Sequence, residues 1–291
     1  MHWISFVARR YVSRGRKRSP QALFSVLGIA TGALALVVIL SVMNGFQLGF
    51  IESILEMSSG HLRVDAVPSD SAAALTARLA SLSGVVSAAP FREASCLAKG
   101  SRAKQPRGVL VRGVPPDVLS RDPGLAARLL TRDGARLEEG AFDLAGPRNI
   151  VLGAELARYL DVAVGDAVQL LSISGRLGGA LAGDGEEGES EDAPFIVAGV
   201  FRCGFYEYDL GWAYINIDSA AALQGGAVGE SILIKLKNRW QDAAALERVK
   251  KGILEAGYSD GSAGGPRARS WRDYNRAVFS ALRTEKLKMF I

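Results

Sequence analysis

Between Ser19 and Ile51 the sequence contains no Asp, Glu, Lys or Arg. A helix needs about 20 predominantly apolar residues to cross the hydrocarbon core of a bilayer, and this run exceeds that length, so it predicts one transmembrane span. The residues just before it include Arg9, Arg10, Arg14, Arg16, Lys17 and Arg18, with no acid among them. Basic flanks stay on the cytoplasmic side, which predicts a chain that leaves the cytoplasm after Arg18. A cleaved signal peptide has the same basic-then-apolar order, and Ala33-Leu34-Ala35 offers a small-x-small cleavage site. Its apolar region runs only about 7 to 15 residues, however, and cutting there would leave apolar sequence at the new N-terminus. A retained anchor is the better reading.

The net charge of +5 is unevenly placed: residues 1–18 carry +6 and residues 264–291 carry +5, which leaves −6 for the stretch between them. The folded middle therefore has no basic stripe, and nucleic acid is not an expected partner. With 291 residues, 48% of them hydrophobic, the chain is long enough to bury a core of its own beyond the membrane. Cys96 and Cys203 lie in the segment predicted to fold outside the cytoplasm, where an oxidising compartment permits a disulfide. Sequence leaves open whether they pair or stay as two half-buried thiols. His2 and His61 are the only histidines, so no Cys or His cluster has metal-ligand spacing, and no metal or other cofactor is expected.

Helical spacing continues past the apolar run: Phe46, Phe50, Ile54 and Met57 recur on one face until Ser58-Ser59-Gly60 ends the pattern. We expect a basic cytoplasmic segment over residues 1–18, the transmembrane helix over 19–45 and a stalk helix over 46–59. Next, HLRVDAV alternates like a half-buried strand, SDSAAALTARLASLSG reads as a capped helix closed by Gly84, and VVSAAPFREASCLAKG reads as a second strand. From Arg107 to Leu223 the texture changes to short apolar runs, RGVLVRGV, NIVLG, DAVQLLSI, FIVAGVF and WAYINI, separated by Gly, Pro and Asp turns, with one short helix at GAELARYL. ESILIKLK, WQDAAALERVKKGILEAG and RARSW then repeat the order strand, helix, strand.

The expected fold is a membrane-anchored α+β chain. An α/β subdomain is assembled from residues 60–104 and 229–271, and a β-rich subdomain is inserted over 105–228. A second stalk helix over 272–291, with Trp271, Tyr274, Val278, Leu282 and Met289 close to one face, leads towards a second span.

Nucleotide and hydrolase signatures fail on physical grounds. Residues 183–188, GDGEEG, satisfy G-x-G-x-x-G, but a phosphate cradle needs backbone amides opening a helix, and six acids between Asp184 and Asp192 would repel a pyrophosphate. No G-x-x-x-x-G-K-[ST], H-E-x-x-H or G-x-S-x-G is present. An enzymatic reading therefore has no catalytic constellation to nominate, and any energy source lies on another chain. Within the span, Gly28 and Gly32 form G-x-x-x-G, and Ser25 and Ala35 extend the same small-residue face, so a second helix can approach closely there. The loop from Ser172 to Pro194 is too long and glycine-rich for a plain hairpin. It is a solvated tip, a partner-contacting arm or a weak cation site.

Three stretches, LSVMNGF at the end of the span, NIVLGAELARYLDVAVGDAVQL in the insert and WRDYNRAVFSALRTEKLKMF near the C-terminus, occur in the order and contexts found in one transporter family. Through them the chain resembles the N-terminal half of the LolC/LolE-type permease subunits of the lipoprotein-releasing ABC transporter. The resemblance implies a multi-pass protein of the bacterial inner membrane with a cytoplasmic N-terminus. Its periplasmic domain would combine a porter-like α/β part with a sabre-like β-rich insert. It also implies partners: cytoplasmic ATPase subunits, a second permease subunit in a hetero- or homodimer, a triacylated lipoprotein substrate, a periplasmic lipoprotein carrier and membrane lipid. By the same resemblance Met43 lines the cavity for the acyl chains, with Ile39, Val42 and Phe46 beside it. Methionine suits that place, because its flexible, polarizable side chain fills irregular apolar space. Arg176, Leu177, Leu181 and Pro194, in the long loop, occupy the position of a carrier-contacting hook. Two other readings share these features: a MacB/FtsX-like permease that transmits motion for another substrate, and a single-span periplasmic binding or assembly module.

Overall fold

The structure, a computed structural model, describes residues 2–13, 20–103, 105–130, 137–172, 193–224, 229–258, 265–277, 279, 280 and 284. They fall into two compact units, Met1–Glu52 and Ser53–Ile291.

The first unit consists of helices α1 (His2–Ser13) and α2 (Pro20–Ser53). Sequence reading gave only a basic segment where α1 lies, yet this helix exposes Trp3, Ile4, Phe6 and Val7 alongside Arg10. At 1.5 Å per residue, the 34 residues of α2 reach about 50 Å, beyond the hydrocarbon thickness of about 30 Å. Its apolar side chains are exposed all round, from Leu23 and Phe24 to Phe46 and Leu48. A helix apolar on every side belongs in a protein core or a membrane, and this one is not covered by protein. Among the described residues it is the one helix long and apolar enough to cross a bilayer. The helix runs unbroken through Asn44-Gly45.

The second unit is built on a ten-stranded mixed sheet. Its strands are β1 (Leu62–Val67), β2 (Val85–Gly100), β3 (Arg107–Val114), β4 (Glu139–Gly140), β5 (Asn149–Gly153), β6 (Ala167–Ser172), β7 (Phe195–Phe201), β8 (Trp212–Asn216), β9 (Glu230–Leu236) and β10 (Arg267–Ser270). The order is β10-β1-β9-β2-β3-β8-β5-β7-β4, with β6 pairing β2 and β7. The 16-residue β2 ties the sheet together: Val85–Phe91 pairs with β9, Arg92–Ala98 with β3 and Cys96–Gly100 with β6.

Helices α3 (Ser69–Ala80) and α9 (Asp242–Glu255) cover one face near β1 and β9. Ala72, Leu75 and Leu79 of the first and Ala245, Val249 and Ile253 of the second recur at helical spacing and are buried against Leu62, Val64, Ile232 and Ile234. Between β3 and β9 the described residues include five short helices: α4 (Val118–Arg121), α5 (Pro123–Leu129), α6 (Ala154–Leu160), α7 (Tyr206–Gly211) and α8 (Ile217–Leu223). Among its described residues the insert is thus as helical as it is β, whereas its sequence reads as mainly β with α6 alone. Helices of four to seven residues complete too few turns to show a 3.6-residue period. A short helix, α10 (Trp271–Tyr274), follows β10.

On the opposite sheet face a second core gathers Phe91, Leu129, Phe201, Trp212 and Tyr214. The Tyr214 ring meets Phe201 edge-on at 5.5 Å, and its fully buried hydroxyl has no hydrogen-bond partner. An unsatisfied buried hydroxyl costs about 1–3 kcal/mol. Tyr214→Phe is therefore expected to leave stability unchanged or to raise it by up to about 2 kcal/mol, read from the denaturant midpoint. Cys96 and Cys203 are not bonded to each other. Burial pushes their thiols up to about 11 and about 12, with the Asp209 carboxylate adding to the effect at Cys203.

Candidate functional site

Residues expected to line the acyl-chain cavity lie on α2. At about 100° per residue, Ile39, Val42, Met43 and Phe46 fall within an arc of about 100° of that helix, and Ser25, Gly28, Gly32 and Ala35 fall within about 80° centred on the same line. The two predicted sets form one continuous stripe, small in its N-terminal half and bulky in its C-terminal half. Ile39, Val42 and Phe46 are exposed and Met43 is half-exposed. A Cβ added at Gly28 or Gly32 would touch nothing within 4 Å, so the small half is open to an approaching helix. Phe46 and Phe50 stack with ring centroids 6.2 Å apart. Of the loop residues, Pro194 is exposed just ahead of β7; Arg176, Leu177 and Leu181 lie outside the described residues.

A second constellation went unforeseen. Beyond Ser53 the α-helix widens into a π-helical turn, Ile54–Ser59. The sequence reads here as the end of a stalk, yet Ile54, Leu55, Met57 and Ser59 are buried in the second unit. Strand alternation explains what meets them. The registers β1–β9, β9–β2, β2–β3 and β3–β8 put Arg63, Leu233, Ala89, Phe91, Glu93, Arg112 and Tyr214 on one sheet face, with Lys235 two residues from Leu233. In the sequence these charges sit on the polar phase of their strands and read as solvent-facing. The turn docks on that face and buries it.

Lys235 Nζ donates to Glu56 O at 3.1 Å, to Glu56 Oε2 at 2.6 Å and to Asp122 Oδ1 at 2.7 Å. Arg112 donates from Nη1 to Met57 O at 2.6 Å and from Nη2 to Ser58 O at 2.8 Å, and also pairs with Glu93. The last carbonyls of a helix lack partners within it and carry its negative dipole end, so buried cations are suited to cap them. The Phe91 ring lies under both Arg112 and Arg63, each 4.7 Å from its centroid, and Trp212 lies 4.5 Å below Arg112. The outgoing chain joins the same cluster. Arg63 Nη1 donates to Tyr274 OH at 3.0 Å, and Asn275 Nδ2 donates to Ser59 Oγ at 3.1 Å.

Two glycines shape this socket. Gly60 stops the turn with φ +59, and a Cβ there would stand 2.7 Å from Leu233 Cγ. A Cβ at Gly124, at the start of α5, would fall 1.9 Å from Glu56 Oε2.

Acid weakens this region in two steps. Burial lowers the pKa of His61 below its ordinary 6.5, opposed by Glu56 and reinforced by Lys235 and Arg239. Burial alone would raise Glu93, but Arg112 and Arg63 hold it below its ordinary 4.5; Asp65 is likewise held below 3.8 by Arg269 and Arg63 against the effect of burial. All three groups bind protons more tightly in the unfolded chain, so the stability they contribute is lost as pH falls. The melting temperature is expected to fall first below pH 6.5 through His61, then again below the ordinary carboxylate range through Glu93 and Asp65. His61→Gln, measured by the same melts, should remove the first step only.

The sequence family described as the MacB-like periplasmic core domain matches residues 22–251. The chain belongs to this family. Among its relatives, the lipoprotein-releasing system transmembrane protein LolC of Xylella fastidiosa (strain Temecula1) is 28% identical over 282 residues, covering 92% of this chain and 59% of the relative. The LolC protein of Neisseria meningitidis serogroup B is 28% identical over 294 residues, covering 99% of this chain and 65% of the relative. The chain thus spans between 59% and 65% of the length of these two relatives. Among solved structures, the extracellular domain of the noncanonic ABC-type transporter YknZ from Gram-positive bacteria matches with a TM-score of 0.44 at 12% identity, covering 72% of this chain and 99% of that one. The periplasmic region of MacB from Actinobacillus actinomycetemcomitans also gives 0.44, at 14% identity, with 77% and 95% covered. The family match begins inside α2 and ends inside α9.

Proposed function

We propose that this member of the MacB-like family is a permease subunit of an ABC transporter that extracts lipoproteins from the inner membrane and hands them to a periplasmic carrier. The observation that carries the reading is the likeness to LolC, which extends over 92% of the chain and takes in the apolar helix together with the domain that follows it. ATP hydrolysis falls to separate cytoplasmic ATPase subunits, in keeping with a sequence that has no phosphate loop. The N-terminus is cytoplasmic and the second unit periplasmic, with residues 60–104 and 229–271 as the porter-like part and 105–228 as the sabre-like insert. Further spans follow in the full-length protein, which works as a hetero- or homodimer of permease subunits.

The stripe on α2 gives this reading a physical form. Glycine and serine in its N-terminal half let a partner helix approach closely, and bulky residues in its C-terminal half hold that partner away. Two helices in contact at Gly28 and Gly32 therefore diverge towards Ile39, Val42, Met43 and Phe46, leaving an apolar wedge for acyl chains. Removing an acyl chain from lipid costs about 0.8 kcal/mol per methylene, so a triacylated substrate needs both the wedge and the work of ATP. The long loop that ends at Pro194 is the arm offered to the carrier.

A photocrosslinking residue at position 43 tests the assignment in the full-length permease. Irradiation is expected to yield an adduct with a triacylated lipoprotein and none with the same protein lacking its acyl chains. Adducts with phospholipid alone would instead favour a MacB-like permease for another substrate, a reading supported by the breadth of the family match.

A further inference from the structure

A π-helical turn makes i→i+5 hydrogen bonds and so leaves one more carbonyl unbonded at its C-terminal end than an α-helix does. In Ile54–Ser59 three such carbonyls, those of Glu56, Met57 and Ser58, are taken by Lys235 and Arg112. Each of these cations also has a carboxylate partner away from the turn: Asp122 for Lys235 and Glu93 for Arg112. If the carbonyls moved off, neither buried charge would lose its counter-ion. A small cavity of about 20 Å³, room for about one water molecule, adjoins the turn and is lined by Glu56, Met57, Phe91, Arg112, Asp122 and Leu233. Gly60, the residue that follows the turn, has φ +59 and no Cβ, and forms the pivot.

We propose that this turn is a register joint. It alternates between the π-helical form, gripped through Arg112 and Lys235, and an α-helical form one residue out of step and released from them, as nucleotide drives the helix during transport. A one-residue step moves the backbone by about 1.5 Å along the axis. Buried polar partners are satisfied only at discrete positions, so the joint has two states rather than a continuum. The proposal rests on the transporter reading for its driving force, but its structural claim can be measured separately.

The test uses the full-length permease with its ATPase subunits in nanodiscs, following amide hydrogen exchange at residues 54–60 without nucleotide and in a vanadate-trapped state. Exchange of these amides is expected to change at least about tenfold between the two states, while amides of α3 stay constant. A second measurement uses Ser59→Cys with Asn275→Cys, in a background where Cys96 and Cys203 are replaced by alanine. The two native side chains stand 3.1 Å apart, so oxidation should crosslink them. The oxidised protein should lose both lipoprotein release and the nucleotide-dependent exchange, and a reductant should restore both. Arg112→Lys, which keeps the charge near Glu93 but lacks the fork for two carbonyls, should speed exchange of the same amides without nucleotide and leave α3 protected. Identical exchange in both nucleotide states, failure to crosslink, or normal release by the oxidised pair would overturn the joint. Nucleotide-dependent exchange in a wild-type protein that releases no lipoprotein would support the joint and count against the lipoprotein reading alone.

Discussion

Met43→Asp is expected to abolish lipoprotein release by the reconstituted transporter while ATP hydrolysis continues. Met43 stands midway along the bulky half of the stripe, between Ile39 and Phe46, and is half-exposed. A carboxylate there draws water into the wedge. If two or three methylenes of an acyl chain lose their apolar contact, the loss is about 2 kcal/mol at 0.8 kcal/mol each, roughly a 30-fold weaker hold on the substrate. Met43→Arg should act in the same way, and Met43→Leu, which keeps volume and apolarity, should release normally. The readout is transfer of a triacylated lipoprotein from proteoliposomes to the carrier, with phosphate production followed in parallel. Normal transfer by both charged variants would remove Met43 from the cavity.

How far the sequence could be read depends on the length of each element and on what faces it. The span was legible because more than 30 residues without a charge leave few alternatives. Strands β1, β2, β9 and β10 and helices α3 and α9 were legible for the same kind of reason, since each is long enough to display its own period or is bounded by clear turn residues. The helices α4, α5, α7 and α8 were not: four to seven residues cannot separate a helical period from a short apolar run. Helix α1 was hidden by its arginines, which drew attention away from Trp3, Ile4, Phe6 and Val7.

The socket was illegible for a different reason. Arg63, Lys235, Glu93 and Arg112 occupy the positions a half-buried strand normally turns to water. Nothing local marks them as buried, because their burial comes from a helical turn that arrives from elsewhere in the sequence and covers the second face of the sheet. One signal was available in principle: four separate strands, β1, β2, β3 and β9, each carry charge on the polar phase, and a helix C-terminus with carbonyls to satisfy comes immediately before the first of them. The stripe on α2 was fully contained in the sequence, since Ser25, Gly28, Gly32 and Ala35 share an arc with Ile39, Val42, Met43 and Phe46 on any straight helix. The unbroken run of α2 through Asn44-Gly45 keeps Phe46 on the same helix as the rest of the stripe.

Lys235→Met should produce the largest loss of stability of any single change in the socket. Lys235 is 5% exposed and faces Asp122, itself 2% exposed, and the Glu56 carboxylate of the π turn. Methionine fills nearly the same volume, so the packing defect is small and the electrostatic one dominates. Two carboxylates are left beside each other without a cation, and the Glu56 carbonyl loses its donor. Breaking a buried ion pair from one side costs about 3–5 kcal/mol, and the urea midpoint of the second unit should fall accordingly. The origin of that loss can be separated from simple disruption by a second change. Asn at position 122 still accepts from Leu125 N and so keeps the N-cap of α5, but it carries no charge to leave uncompensated. Lys235→Met combined with Asp122→Asn should therefore be more stable than Lys235→Met alone, a departure from additivity of about 1–3 kcal/mol. If the two losses simply added, the unpaired Asp122 carboxylate would not be the cause. If Lys235→Met cost under about 1 kcal/mol, within the range of an exposed ion pair, the turn would be held by its apolar contacts to Phe91 and Leu233 and not by the buried lysine.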